Sequence, residues 1–463
     1  MAKVFVFCIG GTGLRVMKSV LMLAASGMKT NGYDIVPVII DPHVDLEENT
    51  KLTTLIGDYI KVYKYATSAT AQQLKAPSGF FNTKVSRLED LDDQQNSTAA
   101  NMAEKRPFGQ YLNVGAIAND DVNNYLIQSL FSQDNLKNSL AVGFKGNPNV
   151  GTVVLNEMIN GADWYDAFHR HCEKGDRVFI ISSIFGGTGA SGYPLLEKKI
   201  KEDKAHPQVR NAVMGAVTVL PYYSLDDPTT SGSDIDSSNF YTKAKAALSY
   251  YENSVKSDYL YYAGERSLKA NYKNNEKEQK DTAHFVELLA ATALFDFLGK
   301  SAPDSPQAMT RAIRKDSDAL DLSSLGDGYK GLVKNVVDMM LFDLLLDILP
   351  EERQFPLKKT RGMNNAFYND QQFKSLNDFV KQFHVWYKEL SENSRGFAPL
   401  NKVSKGEKLS SMVKSLSLEA EDESYYLLKM IEASNKSKDG HGNKLRYLLD
   451  FAYEGINNYT KSI

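Results

Sequence analysis

Apolar positions along the chain alternate between two patterns. Residues 3–9 form a continuous apolar run with the length and composition of a buried strand, and Gly10-Gly11 ends it. Leu14, Met17, Val20, Leu21 and Ala24 then recur at helical spacing, which predicts a helix with one inward face. The alternation returns further along. Strands are expected at 35–40, 177–184, 212–220 and 258–263. Helices are expected to begin within 193–199 and at Ser237, the latter with Phe240, Ala244, Leu248 and Tyr251 on one face. Strands alternating with helices in this way predict a three-layer α/β fold, a parallel sheet covered on both faces. Pro37 stands inside the second strand, where proline cannot donate to a ladder.

From about residue 303 the pattern changes. Residues 329–349 read as a strongly apolar helix ending at Pro350, and helical spacing follows at 370–393, 409–418, 424–434 and 445–459. Strand signals are few there, with 397–400 a short extended element. The division expected is an α/β domain over 1–300 and a mostly helical domain over 301–463. Between Asp41 and Gly143 the chain is far longer than an ordinary connection of up to about 15 residues, so about 50–140 is an insertion. Its centre, 90–106, is polar and reads as a surface loop, while 107–117 is apolar enough to pack.

Composition narrows the class. With 463 residues, 42% hydrophobic and 24% charged, the chain can bury a large core. A net charge of -3 leaves no basic footprint, so nucleic acid is not an expected partner. The two cysteines, Cys8 and Cys172, cannot form a disulfide framework and point to a reducing compartment. No apolar run approaches the roughly 20 residues that span a bilayer, and the first strand leaves no room for a signal peptide. A cytoplasmic location without membrane insertion is therefore expected.

The chemistry lies in the glycines. The strand at 177–184 empties into Gly186, Gly187, Thr188, Gly189, Ala190, Ser191 and Gly192. Glycines let backbone N–H groups approach a ligand, and with the Thr188 and Ser191 hydroxyls and the positive end of a following helix they suit an anion. The segment lacks a G-K-[ST] ending and does not spell G-x-G-x-x-G. Gly10, Gly11, Thr12 and Gly13 repeat the arrangement after the first strand. A third glycine-rich turn, Gly143-Phe144-Lys145-Gly146-Asn147-Pro148-Asn149-Val150-Gly151, stands one expected helix before the strand at 177–184.

In this order the segments resemble the phosphate loops of the tubulin/FtsZ GTPase superfamily, in the manner of its divergent bacterial tubulin-like members. The signature G-G-G-T-G-[ST]-G is matched with Phe185 at the first position, Ala190 at the sixth and Ser191 at the seventh. The turn at 143–151 is similar to the loop that wraps the terminal phosphate, with Gly143, Gly146, Asn147 and Pro148 in its binding part. Asp41 and Asp45 stand where the family carries acidic groups near bound magnesium, Asp45 on the metal side. The resemblance covers about 1–300. It implies GTP or GDP with Mg2+ as ligands, GTP hydrolysis, and head-to-tail self-association into filaments.

It also implies a central helix, placed at 281–298 with Asp281 or Thr282 as cap. Phe285 or His284 would stack on the base, and Glu287 would accept the N1–H and exocyclic amine of guanine. Asn239, on the preceding helix, is a weaker base contact, and a solvated Glu287 beside a core Phe285 is the alternative. In the family, acids in the loop after the central helix polarise water on the next subunit's nucleotide. The nearest match to that N-L-D-F-A-D-V pattern, 319–325, keeps only Asp321, with Asp296 a second candidate and a helix-cap role equally open for Asp321.

Two rival functions use the same residues. A Rossmann-type NAD(P)-dependent enzyme would grip a pyrophosphate at Gly11 and Gly13 and a ribose hydroxyl at Asp41, but Val16 occupies the third small position. A non-hydrolysing nucleotide-binding scaffold is the other. His169, His171 and Cys172 cannot close one tetrahedron from neighbouring helical positions, and no G-x-S-x-G or H-E-x-x-H is spelled.

Overall fold

Six parallel strands form the centre of the computed structural model, which describes residues 1–42, 47–68, 75–91, 105–160, 163–225, 239–265, 271–272, 283–313, 319–351, 363–393, 395–401, 409–414, 416–418, 423–437 and 442–463. They are β1 (Lys3–Ile9), β2 (Asp34–Ile40), β3 (Arg177–Ser183), β4 (Val213–Val219), β5 (Tyr259–Ala263) and β6 (Gln307–Arg311), in spatial order β2-β1-β3-β4-β5-β6. The fold class is thus α/β. Helices cover both faces of the sheet, so β1 reads as an unbroken apolar run and is buried from Val4 to Ile9. Its Phe5 stands between Val36 of β2 and Val178 of β3. Pro37 is tolerated because β2 is the edge strand. Ile35 N–H already points outward, to Lys84 O at 2.9 Å, and Pro37 faces the same way, so its missing N–H costs no bond to β1.

Among the helices, in chain order, are α1 (Gly10–Ala25), α2 (Glu47–Thr67), α3 (Pro148–Asn160), α4 (Asp163–His171), α5 (Gly187–Lys201), α6 (Phe240–Ser254), α7 (Phe285–Leu298), α8 (Lys330–Glu351), α9 (Gln371–Glu392), α10 (Glu423–Lys436) and α11 (Lys444–Tyr459). Two of them, α3 and α4, separate the third glycine turn from β3, where the sequence suggested one. Helix α5 begins at Gly187 rather than near Tyr193, so the glycine-rich segment is itself helical. Helix α7 is apolar on all sides and correspondingly buried, lying against α1, β4 and β5. It starts later than the sequence suggested. His284 is its cap: Nδ1 accepts Val286 N–H at 3.0 Å while Glu287 accepts His284 N–H at 3.0 Å, a reciprocal capping box. Asp281 and Thr282 lie outside the described residues.

The insertion joins the two parts of the chain. Tyr59 of α2 donates to Thr83 O at 2.8 Å, which ties down residues 79–83. Phe80 there stacks on Phe342 of α8 at 4.6 Å, and Phe81 meets Phe379 of α9 edge-on at 5.1 Å. Phe108, in the segment expected to pack, is buried against Phe131 at 4.9 Å. Residues 92–104, most of the expected surface loop, lie outside the described residues.

The C-terminal part is largely helical. Among the described residues beyond β6, its strands are two short pieces, Ala319–Leu320 and Gly396–Phe397, which pair in parallel. Helix α9 returns to the α/β layer, where Trp386 Nε1 donates to Ser19 Oγ of α1 at 3.3 Å. Strand β6 lies past residue 300, so the sheet reaches into the segment that the sequence assigned to the second domain. Among the described residues, no helix is long and apolar enough to cross a membrane.

Candidate functional site

Strand order reverses between β1 and β3, and ligands of open parallel sheets bind at such a switch point, beyond the carboxyl ends of the strands. Helices α1 and α5 start there, from β1 and β3. Among the described residues neither has a side-chain cap bond, so their first-turn N–H groups are open to water or a ligand, with the positive helix ends behind them. Gly10, at φ +69°, brings the two starts together: a Cβ on it would lie 3.1 Å from Thr188 Cβ.

The third turn closes over α5. Gly143, Lys145 and Gly146 have φ of 74°, 44° and 71°, a backbone path that folds the segment sharply. A Cβ on Gly187 would lie 2.9 Å from Phe144 Cβ, 3.1 Å from Asn147 N and 3.2 Å from Gly146 N. The three glycine segments therefore meet at one place. Lys243 of α6 donates to Gly146 O at 2.6 Å and fixes the turn, and Pro148 opens α3 as the first helical residue. Asn147 turns its amide onto Lys145 O at 3.3 Å.

Not every glycine in these segments faces the same space. A Cβ on Gly13 would sit 2.9 Å from Ile181 O, one on Gly189 2.7 Å from Ser183 N, and one on Gly192 2.7 Å from Ile9 Cγ2. Those three let helices press onto strands. Gly11, Thr12, Gly186 and Thr188 are half-buried. Ser191 differs from expectation: its hydroxyl donates back to Gly187 O at 2.7 Å, so it does not point at an anion. Ala190 is buried beside it.

The base-side residues also differ. Phe285 is fully buried with its ring stacked on Phe397 at 5.6 Å, which removes it as a base-stacking ring. Glu287 is buried and engaged inside the protein. Its Oε1 accepts Arg15 Nε at 2.7 Å and the Tyr222 hydroxyl at 2.6 Å, and Oε2 accepts His284 N–H, leaving no open carboxylate edge for guanine. His284 is held neutral, burial pulling its pKa down to about 4, and its ring lies 4.9 Å from Tyr222. Beyond it, Glu265 pairs with Arg395, both buried. Asn239 is exposed at the N-terminus of α6. Asp41 is buried at the end of β2, and Asp45 lies outside the described residues. Asp321 is the N-cap of the short helix Leu322–Leu325, its Oδ1 accepting Ser324 N–H at 2.9 Å and the Ser323 hydroxyl at 2.7 Å.

A cavity of about 600 Å³ opens along α1, between α2, α7 and α9. Arg15, Lys18 and Met22 line it at 4, 7 and 11 residues beyond Gly11, so cavity and cradle share one face of α1. Sequence reasoning missed Arg15, Lys243 and one of the cavity's acids, Glu48. Only Arg15 carried a signal, one helical turn beyond Gly11.

No protein-family profile and no curated protein matches the chain. Among solved structures, CetZ from Methanosaeta thermophila strain DSM 6194 matches at 14% identity with a TM-score of 0.26, over 57% of this chain and 46% of that one. The chain thus spans under half the length of that structure.

Proposed function

We propose that this chain binds a purine nucleoside triphosphate, GTP with Mg2+, as a tubulin/FtsZ-like nucleotide-binding protein. The observation that carries the proposal is the meeting of the three glycine segments at the uncapped starts of α1 and α5. Gly11, Thr12, Gly186, Gly187 and Thr188 would hold the phosphates, and the turn 143–147, braced by Lys243, would cover the terminal one. A dinucleotide enzyme would use α1 and Asp41 but leave the start of α5 and the covering turn without a role.

Magnesium suits such a site as part of the nucleotide. Among the described residues no group of three or more acids, histidines or cysteines could hold a metal by itself. Mg2+ needs only one or two carboxylates beside phosphate oxygens and water, and Asp41 and Asp45 are the acids to supply them. When bound it would neutralise phosphate charge.

Hydrolysis and filament formation extend the proposal: Asp321 of one subunit would polarise water on the nucleotide of the next, since heterologous contacts build open filaments. The test is calorimetry with GTP, GDP and NAD, followed by turnover against protein concentration. GTP binding without NAD binding supports the nucleotide assignment, and NAD binding alone overturns it. Turnover per molecule that rises with concentration supports a shared site. A flat rate near zero leaves a non-hydrolysing scaffold.

A further inference from the structure

We infer that Glu48, on the first turn of α2, reads the base edge of the bound nucleotide and selects guanine. The inference rests on the nucleotide assignment above. Glu48 lines the cavity along α1 and is only 6% exposed, and among the described residues its carboxylate oxygens meet no donor except its own backbone N–H. An unpartnered buried carboxylate is costly, and native proteins pair such groups. A ligand that brings donors to both oxygens removes that cost.

Chemistry and position choose the ligand. Leu14, Leu52, Leu55 and Trp386 give the cavity apolar walls suited to the faces of a flat ring. The cavity begins on the face of α1 that carries Gly11, one turn from the phosphate cradle, within the length of a nucleotide whose phosphates sit on the cradle. Guanine presents N1–H and an exocyclic amine side by side, a donor pair that matches two carboxylate oxygens. Adenine presents a donor beside an acceptor on the corresponding edge. Three other acids line the cavity, but Glu287 serves Arg15, Tyr222 and His284, Glu389 serves Lys18 and Ala283 N–H, and Asp378 is exposed, so Glu48 is the buried acid with acceptor capacity to spare. Burial pushes its carboxyl above the usual range, while its own backbone N–H, Arg15 and Lys51 favour the ionised form.

The full chain and its E48Q variant are titrated with GTP, ITP and ATP. ITP lacks only the exocyclic amine, so the wild type should bind GTP about tenfold or more tighter than ITP, the loss of one charge-assisted bond. In E48Q the amide offers one acceptor and one donor, and the GTP-to-ITP and GTP-to-ATP ratios should fall toward one. Unchanged ratios overturn the role of Glu48 while leaving nucleotide binding intact. A folded wild type that binds no triphosphate overturns the nucleotide assignment, and this inference with it. E48M is the second variant: filling the site with an apolar chain should raise the melting temperature of the ligand-free protein while weakening GTP. Lower melting temperatures in both variants would mark Glu48 as structural and overturn the inference.

Discussion

Gly187→Ala is the sharpest test of the phosphate cradle. The added methyl would lie 2.9 Å from Phe144 Cβ, 3.1 Å from Asn147 N and 3.2 Å from Gly146 N. Carbon atoms settle at about 3.5–4.0 Å, so the covering turn must move out by about 0.6 Å or more. Gly187 opens α5 without positive φ, so alanine suits its backbone, and the stability cost is confined to overpacking, about 1–3 kcal/mol. Binding should suffer more. If the displaced turn and the crowded helix start lose two donors to phosphate, at about 1.5–3 kcal/mol each, affinity falls by about 10²–10⁴. Calorimetric titration with GTP reads the affinity, and circular dichroism melts read the fold. Gly189→Ala is the contrast, because its methyl would meet the β3 backbone at Ser183 N, 2.7 Å away, and should cost the fold itself. A folded Gly187→Ala protein that binds GTP as tightly as the wild type would refute the cradle.

Three further outcomes follow from the polar network around α7 and from the cap at Asp321. Glu287→Ala strips the buried partner from Arg15 and should destabilise the protein by about 3–5 kcal/mol in urea unfolding, and a loss under about 1 kcal/mol would mean the ion pair is not formed in solution. His284 has a folded pKa depressed to about 4, so its contribution is whole above the ordinary value of about 6.5. As pH falls from there toward about 4 the unfolded chain takes a proton that the folded one refuses, and stability should drop by roughly 3 kcal/mol. His284→Asn keeps a capping side chain and should flatten that slope; an unchanged slope would assign it to other groups. Asp321→Ala should cost about 1 kcal/mol as a lost N-cap, and unchanged GTP turnover at concentrations that support hydrolysis would confine Asp321 to capping.

The sheet was legible in the sequence because parallel strands covered on both faces become unbroken apolar runs, as in β1 and β3. Strand β6 was not, since none of its residues is buried and it carries no such run. The start of α5 was hidden for a different reason. Glycine disfavours helix by about 1 kcal/mol, so G-G-T-G-A-S-G reads as loop, but Gly189 and Gly192 let the helix press onto Ser183 and Ile9. Packing outweighs propensity there. The insertion's role was invisible because its partners, Phe342 and Phe379, lie on helices far along the chain.

The site divides along the same line. Glycines that need no side chain announced the cradle, although the sequence could not separate those facing a ligand from those facing a strand. Glu287 and Glu48 show why the base side was harder. On α7, Glu287 stands at the third helical position after His284, and that spacing fits a capping box as well as a base contact; the structure chooses the box and adds Arg15 and Tyr222. Glu48 looks like any first-turn acid that complements a helix dipole. Its burial comes from the fold, where α2 packs on α1 and α9, helices that share the cavity with it. The two acids thus take different parts: Glu287 is spent on fixing the start of the central helix, and Glu48, among the described residues, meets no donor but its own backbone N–H at the wall of a cavity.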